Sequence, residues 1–352
     1  MNHNIYQQLS GQFHLHLLQK IDPPYFLSER IISKAFRIAG MKGVFPAFTR
    51  SRLKRVKAQV ESAIDNSCQL NFYHGATPWL LVSNKLPYAL YLDCSFRSYI
   101  NVYHNRTQFS SRQLNELFKK EADFLNNARC VFFSSRWALE DAEKGYHLKG
   151  DNLFVAGLGG ALASQVAKSQ INNPYFLFVG LDFYGKGGDK VIEAFEIIRK
   201  QNPEFKLKIV GQEPPEKYRS GDNVEYVGLL NKSDTADLKK LTELFTNAFC
   251  FVLPTSKDMT PLVLIEASAA GCPVITTNNF GIPEMIRHNE TGILLDTKLD
   301  ITQQLVAAMM EMIENKNLRQ KFIANSPGYI RNNFTWERTG KIICDKIIES
   351  LS

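Results

Sequence analysis

Apolar and polar positions along this chain follow two alternating rhythms. Short apolar runs, read as buried strands, are separated by stretches in which apolar residues recur every three or four positions, the spacing of one helix face. The first series of strands is predicted at FHLHLLQKI (13–21), LNFYHG (70–75), YALYLD (88–93), CVFFSS (130–135) and LFVAG (153–157). A polar connector, ASQVAKSQINNP (163–174), precedes a second series: YFLFVGL (175–181), KLKIVG (206–211), VEYVG (224–228), CFVLPT (250–255) and PVITT (273–277). Helical stretches such as SRQLNELFKKEADFLNNA (111–128) lie between them. Strand–helix alternation of this kind predicts parallel sheets covered by helices, an α/β fold. Two series give two doubly wound domains, at residues 1–165 and 175–332, with a linker at 166–174. The final amphipathic stretch, within 333–352, is expected to pack back on the first domain.

Composition supports this reading: 352 residues, 44% apolar and 22% charged, describe a folded chain with substantial cores. No run reaches the length of a membrane span, and the N-terminus lacks the basic start, apolar block and cleavage site of a signal peptide, so a cytoplasmic location is expected. The six cysteines are scattered, with no C-x-x-C pair, and read as reduced thiols in apolar surroundings; no metal site is expected. The net charge of +7 is concentrated, because residues 30–57 carry nine Lys or Arg and no acid. Within that segment Ile31, Ile32, Ala35, Phe36 and Ala39 recur at helical spacing. Two readings stay open: a solvated helix packed on its own domain, or a surface meeting anionic lipid or a phosphate-bearing acceptor at a membrane face. No recognition helix or aromatic stacking motif accompanies the charge, which argues against nucleic acid.

Ligands of open parallel sheets sit beyond the carboxyl ends of the strands, so the loops there are the places to search. FVGLDFYGKGGDKVIEAF places Gly180, Gly185 and Lys186 at P-loop spacing, but the Ser or Thr that would hold magnesium is replaced by Gly187. The turn remains a candidate phosphate site through its backbone N–H groups, the following helix dipole and the Lys186 charge. FVAGLGGAL (154–162) imitates a dinucleotide fingerprint, yet its sixth position is Leu162 and no acid ends a following strand at the expected distance; a nicotinamide cofactor is therefore not expected.

The most specific stretch is KDMTPLVLIEASAAGCPVITT (257–277). Thr260 as N-cap and Pro261 at the first helical position predict a helix ending at Gly271, with Asp258 in the loop at its mouth. Glu266 then falls inside an apolar, small-residue helix, where a carboxylate needs partners. Ribose hydroxyls suit that need, and so does a neighbouring backbone or basic group serving structure alone.

The succession FVGxxxxxKGG, LKIVG, NVEYVG, LPTxxDxTPxxxxEAxAxGxPVIxTxxxGIPExI and NETGIL resembles the C-terminal domain of retaining family-four glycosyltransferases (group 1 glycosyl transferases) over residues 175–296. The resemblance implies the GT-B fold, two Rossmann-like domains facing across a cleft. It implies that Glu266 hydrogen-bonds the donor ribose and Asp258, where relatives usually carry Glu, binds hydroxyls of the transferred sugar. The amides of Met259, Thr260 and Leu262 would face sugar and diphosphate, Lys186 would neutralise the leaving diphosphate, and Gly211 and Val227 to Leu229 would sit by the nucleobase. The Arg that assists that lysine in relatives is absent, with Leu181 and Gly185 at the candidate positions. The N-terminal half resembles the family more weakly, through PYALYLDCSF and FFSSRWALEDA; Asp93 stands where relatives place a His or Asp at a strand end, a position a plain turn former also suits. The first strand and glycine-rich loop of that domain are not found, and the natural chain is expected to start about twenty residues upstream.

The activity implied by this resemblance is retaining, metal-independent transfer of a hexose from a nucleotide diphosphate sugar to a hydroxyl, with UDP- or GDP-linked donors favoured over ADP-linked ones and no further cofactor. The acceptor, a sugar or lipid-linked glycan precursor, would dock on the N-terminal half. The alternatives are a catalytically inactive nucleotide-sugar-binding relative and a P-loop-like nucleotidase built on GLDFYGKGG.

Overall fold

The computed structural model describes residues 2–16, 20–27, 31, 42–43, 45–148, 150–160, 173–219 and 223–352. It divides into two units, Met1–Gly157 with Trp336–Ser352, and Leu158–Thr335.

In the first unit, β1 (Asn71–His74), β2 (Tyr88–Leu92), β3 (Cys130–Phe133) and β4 (Leu153–Val155) form a parallel sheet in sequence order. Its helices are α1 (Asn2–Ser10), α2 (Arg50–Ala63), α3 (Phe96–Tyr103), α4 (Ser111–Asn126), α5 (Arg136–Tyr146) and the last helix of the chain. Each of α3, α4 and α5 starts from a serine whose hydroxyl accepts a hydrogen bond from an amide in the first turn (Ser95, Ser110, Ser135), which satisfies one of the orphan donors of a helix start. Tyr88, Leu90 and Leu92 of β2 join the core formed with α2 to α5, while Ala89 and Tyr91 face the other way and are equally buried. Burial on both faces is what a continuous apolar strand requires. Glu121 of α4 lies in this core, accepting from the Phe96 amide (2.8 Å) and the hydroxyls of Thr77 (2.9 Å) and Tyr146. Burial raises its carboxyl while those three donors pull the other way.

In the second unit a six-stranded parallel sheet has the order β10-β9-β8-β5-β6-β7. The strands are β5 (Tyr175–Gly180), β6 (Lys206–Gly211), β7 (Val224–Gly228), β8 (Cys250–Leu253), β9 (Val274–Thr277) and β10 (Gly292–Leu295). They are joined and covered by α6 (Gly188–Ile198), α7 (Thr235–Asn247), α8 (Leu262–Ala269), α9 (Ile282–Met285), α10 (Ile301–Glu314) and α11 (Lys316–Asn333). The final helix, α12 (Trp336–Leu351), belongs to the first unit, where it packs on α1 and β3. Strand order reverses between β5 and β8, so the loops that follow these two strands diverge at one switch point.

Residues 13–16 and 20–21 are not in a strand, contrary to expectation; residues 17–19 lie outside the described residues. The basic segment 30–57 is described in part: Ile31 is exposed, α2 covers its end, and Ile32, Ala35, Phe36 and Ala39 lie outside the described residues. β10 was not foreseen, because its four residues, GILL, follow a turn too closely to stand out as a run. All six cysteines are free thiols. Among the described residues no helix is long and apolar enough to cross a membrane.

Candidate active site

Lys186 comes from the loop after β5 and Asp258 from the loop after β8, on the two sides of the switch point. Their side chains form an ion pair. The loops are held together by main-chain contacts: the Gly185 carbonyl accepts from the Ser256 amide (3.1 Å) and the Thr255 hydroxyl (3.2 Å). Gly187, at φ +79°, makes the approach feasible, since a Cβ there would lie 2.5 Å from the Pro254 carbonyl oxygen. Burial pulls the Lys186 ammonium down to about 8, with Asp182 acting in the opposite direction. A cation so placed is readily switched by an arriving anion.

The glycine-rich turn does not itself offer a phosphate cradle. Its amides are spent internally: Gly185 donates to the Asp182 side chain (3.0 Å), and Lys186, Gly187 and Gly188 donate to the carbonyls of Asp182, Tyr184 and Phe183. That corrects the sequence reading, and it removes the nest of free N–H groups that a P-loop requires. The unspent amides are at α8. Helix α8 starts one residue later than expected, with Pro261 rather than Thr260 as its N-cap and no side chain capping it. The shift follows from Pro261 itself, whose extended ψ of 103° keeps it outside the helix. Among the described residues no acceptor meets the amides of Met259, Thr260 or Leu262. An uncapped helix start with free donors favours an anion.

Glu266 is buried inside α8, 1% exposed, as expected. Its partner is Lys232, whose Nζ donates to both carboxylate oxygens, at 2.7 and 2.5 Å. Sequence reasoning missed Lys232. The available signal was its place in the NKSD loop after β7, at the ligand edge of the sheet, where Asp234 caps α7. The other predicted donor residues also lie at this edge. Gly211 ends β6 at φ +112°, pressed so closely on Gly180 that no Cβ fits. Val227 is half-buried in β7, and Leu229, just past its end, is exposed. Leu181, at one of the positions where the resemblance implied an arginine, is exposed as well.

Asp93 belongs to the first unit and follows the end of β2. Burial lifts its carboxyl to about 6. Its Oδ1 is buried and has no hydrogen-bond partner among the described residues. The Ser134 hydroxyl nearby donates to the Asp93 main-chain carbonyl (3.2 Å) instead, and the Tyr91 hydroxyl to Gly157 (2.7 Å).

Residues 163–328 match the family described as glycosyl transferases group 1. The capsular polysaccharide biosynthesis glycosyltransferase CapM of Staphylococcus aureus is 27% identical over 210 residues, 54% of either chain. The chain spans about half the length of the curated relatives it matches. WaaG, described as a glycosyltransferase involved in lipopolysaccharide biosynthesis, superposes with a TM-score of 0.64 at 17% identity over 93% of this chain and 97% of its own. Anabaena Alr3699/HepE, solved in complex with UDP-glucose, gives 0.64 at 15% identity, covering 84% of this chain and 82% of that one. The two parallel-sheet units are thus those of the GT-B fold, and residues 163–328 are similar to the group 1 glycosyl transferases.

Proposed function

We propose that this protein transfers a hexose from a nucleotide diphosphate sugar, UDP- or GDP-linked, to a hydroxyl acceptor with retention of configuration and without a metal ion. The single observation that carries the reading is the Lys186–Asp258 pair beside the unspent amides of Met259, Thr260 and Leu262 at the switch point of the second sheet. A cation and free donors at one spot suit a diphosphate, whose developing charge on departure they would stabilise. An adjacent carboxylate suits sugar hydroxyls, which gives Asp258 the hexose and Glu266 the ribose. Gly211, Val227 and Leu229 would border the base. The leaving phosphate would take the acceptor's proton, so no protein base is required on the donor side.

On the first unit, Asp93 would face the acceptor, and its unpartnered Oδ1 supports that role, since a buried carboxylate oxygen without a donor is costly unless a ligand supplies one. The basic segment 30–57 would favour a lipid-linked acceptor or an anionic membrane face. The relatives involved in capsular polysaccharide and lipopolysaccharide synthesis support an acceptor of the cell-surface glycan class.

Thermal stabilisation by UDP, GDP and ADP, free and as sugar conjugates, without metal, tests the donor site in wild type and Glu266→Ala. A ligand bound only to the folded state at a hundredfold excess over its Kd adds roughly 2.7 kcal/mol. Stabilisation by one base, abolished by the substitution, supports the reading and names the donor; stabilisation by none overturns it.

A further inference from the structure

Glu266 is held by a lysine, and that pairing has a chemical consequence for any donor that uses Glu266. A carboxylate 1% exposed needs a counter-charge or several donors. Lys232 now supplies both, through two short hydrogen bonds. Ribose hydroxyls arriving at the same oxygens would displace the ammonium from at least one of them. Hydroxyls replace its hydrogen bonds but carry no charge, so an anion close by would draw the displaced cation to itself in preference to water.

The donor's own diphosphate is that anion. Glu266 lies four residues beyond Leu262, the first residue of α8, a rise of about 6 Å along the helix axis. The unspent amides sit at that helix start, so a phosphate bound there is within the sweep of a lysine side chain anchored opposite Glu266. Lys232 has the freedom for such a swing: its side chain is 41% exposed, whereas its partner is shut in. Its loop, by contrast, is fixed. The Asn231 amide donates to Asp237 (2.9 Å), the Ser233 amide donates to the Asn231 side chain (3.0 Å), and Asp234 caps α7. A rigid base under a mobile cation suits a ligand contact that changes on binding.

We propose that Lys232 is a donor-binding residue: it guards Glu266 in the empty site and turns to the diphosphate once the ribose hydroxyls occupy that carboxylate. The inference rests on the donor site proposed above. It gives the diphosphate two lysines, Lys186 from the β5 loop and Lys232 from the β7 loop, each released from a carboxylate that then takes hydroxyls.

The test uses the full chain and Lys232→Gln, which can still donate a hydrogen bond to Glu266 but has no charge. Binding of uridine, guanosine and adenosine, measured by saturation-transfer NMR, is compared with calorimetric binding of UDP, GDP and ADP. For the base that binds, the affinity gained on adding the diphosphate should shrink at least tenfold in Lys232→Gln, with nucleoside affinity at or above that of wild type. Lys232→Arg, charged but differently shaped, should recover most of the gain. An equal loss for nucleoside and diphosphate means a purely structural pair and overturns the inference alone, as does an unchanged diphosphate increment. Failure of wild type to bind any nucleoside diphosphate overturns the donor site and this inference together.

Discussion

Lys186 and Asp258, seventy-two residues apart in sequence, meet as an ion pair across the point where the strand order of the second sheet reverses. The pair is partly buried, with side chains 22% and 17% exposed. A site arranged in this way keeps a cation beside a group that can accept from hydroxyls, which is what the proposed sugar diphosphate would need.

The Lys186 charge has a narrow pH range. Its ammonium is held near 8, so the cation is present below that value and lost as pH rises through it. Affinity for the nucleoside diphosphate should therefore fall between pH 7 and 9 in wild type, beyond any change in Lys186→Met. The substitution itself should weaken binding about 10-fold or more at pH 7, as expected for loss of a charge-assisted contact of roughly 1.5–3 kcal/mol. Calorimetric titrations across that pH range check both statements.

Gly187→Ala should damage fold and site together. The added Cβ would meet the Pro254 carbonyl at 2.5 Å, and the residue would be forced to keep φ at +79°. A cost of about 1–3 kcal/mol is expected from strain at such a position. Because the clash lies between the two site loops, donor affinity should fall even where the variant remains folded. Urea unfolding and a nucleotide titration on the same sample separate the two effects.

Asp93→Asn should stabilise the first unit while reducing transfer. Burial raises the folded carboxyl to about 6, above its ordinary value of 3.8, so the native state favours the protonated form. Stability is lost as pH rises from about 4 to about 6, and at pH 7 the ionised group costs on the order of 3 kcal/mol. The neutral amide removes that cost. The variant should melt higher than wild type at pH 7 and converge with it near pH 4, which thermal scans at the two values reveal.

Glu121→Ala should be among the most damaging single changes in the first unit. It would strip acceptors from the Phe96 amide, the Thr77 hydroxyl and the Tyr146 hydroxyl, all inside the core. A loss of about 3 kcal/mol or more is expected from stranding several buried donors at once. Glu121→Gln, which keeps an acceptor for the Phe96 amide, should lose markedly less in the same denaturant experiment.

Strands were legible in the sequence where they are buried on both faces: YALYLD, CVFFSS and CFVLPT each fall within two residues of the observed bounds. Glu266 was legible for the same reason, since a carboxylate among LVLI and ASAAG has no innocuous place to go. Lys232 was not, because a lysine in a polar loop carries no sign of what lies across from it. The glycine turn misled in the opposite direction: its composition suggests free amides, but Asp182 and the carbonyls of residues 182–184 consume them, and that follows from the turn's closure rather than from its letters. Pro261 moved the helix start by one residue because its position at N-cap or first turn depends on ψ, which sequence does not specify.

The reversal of strand order in the second unit also dictates when the site comes into being. β5 contacts β8 only after two strand–helix excursions have been completed, and Lys186 and Asp258 ride on the two ends of that pairing. A chain emerging from the ribosome would thus have its β5–β6–β7 half, with Lys186 and Lys232 in place, before either carboxylate partner existed. Non-local pairings of this kind form slowly. The proposed nucleotide binding would for that reason be a timer of maturation: it should be absent from any nascent length ending short of α8 and should arrive in one step when the sheet closes on its second half.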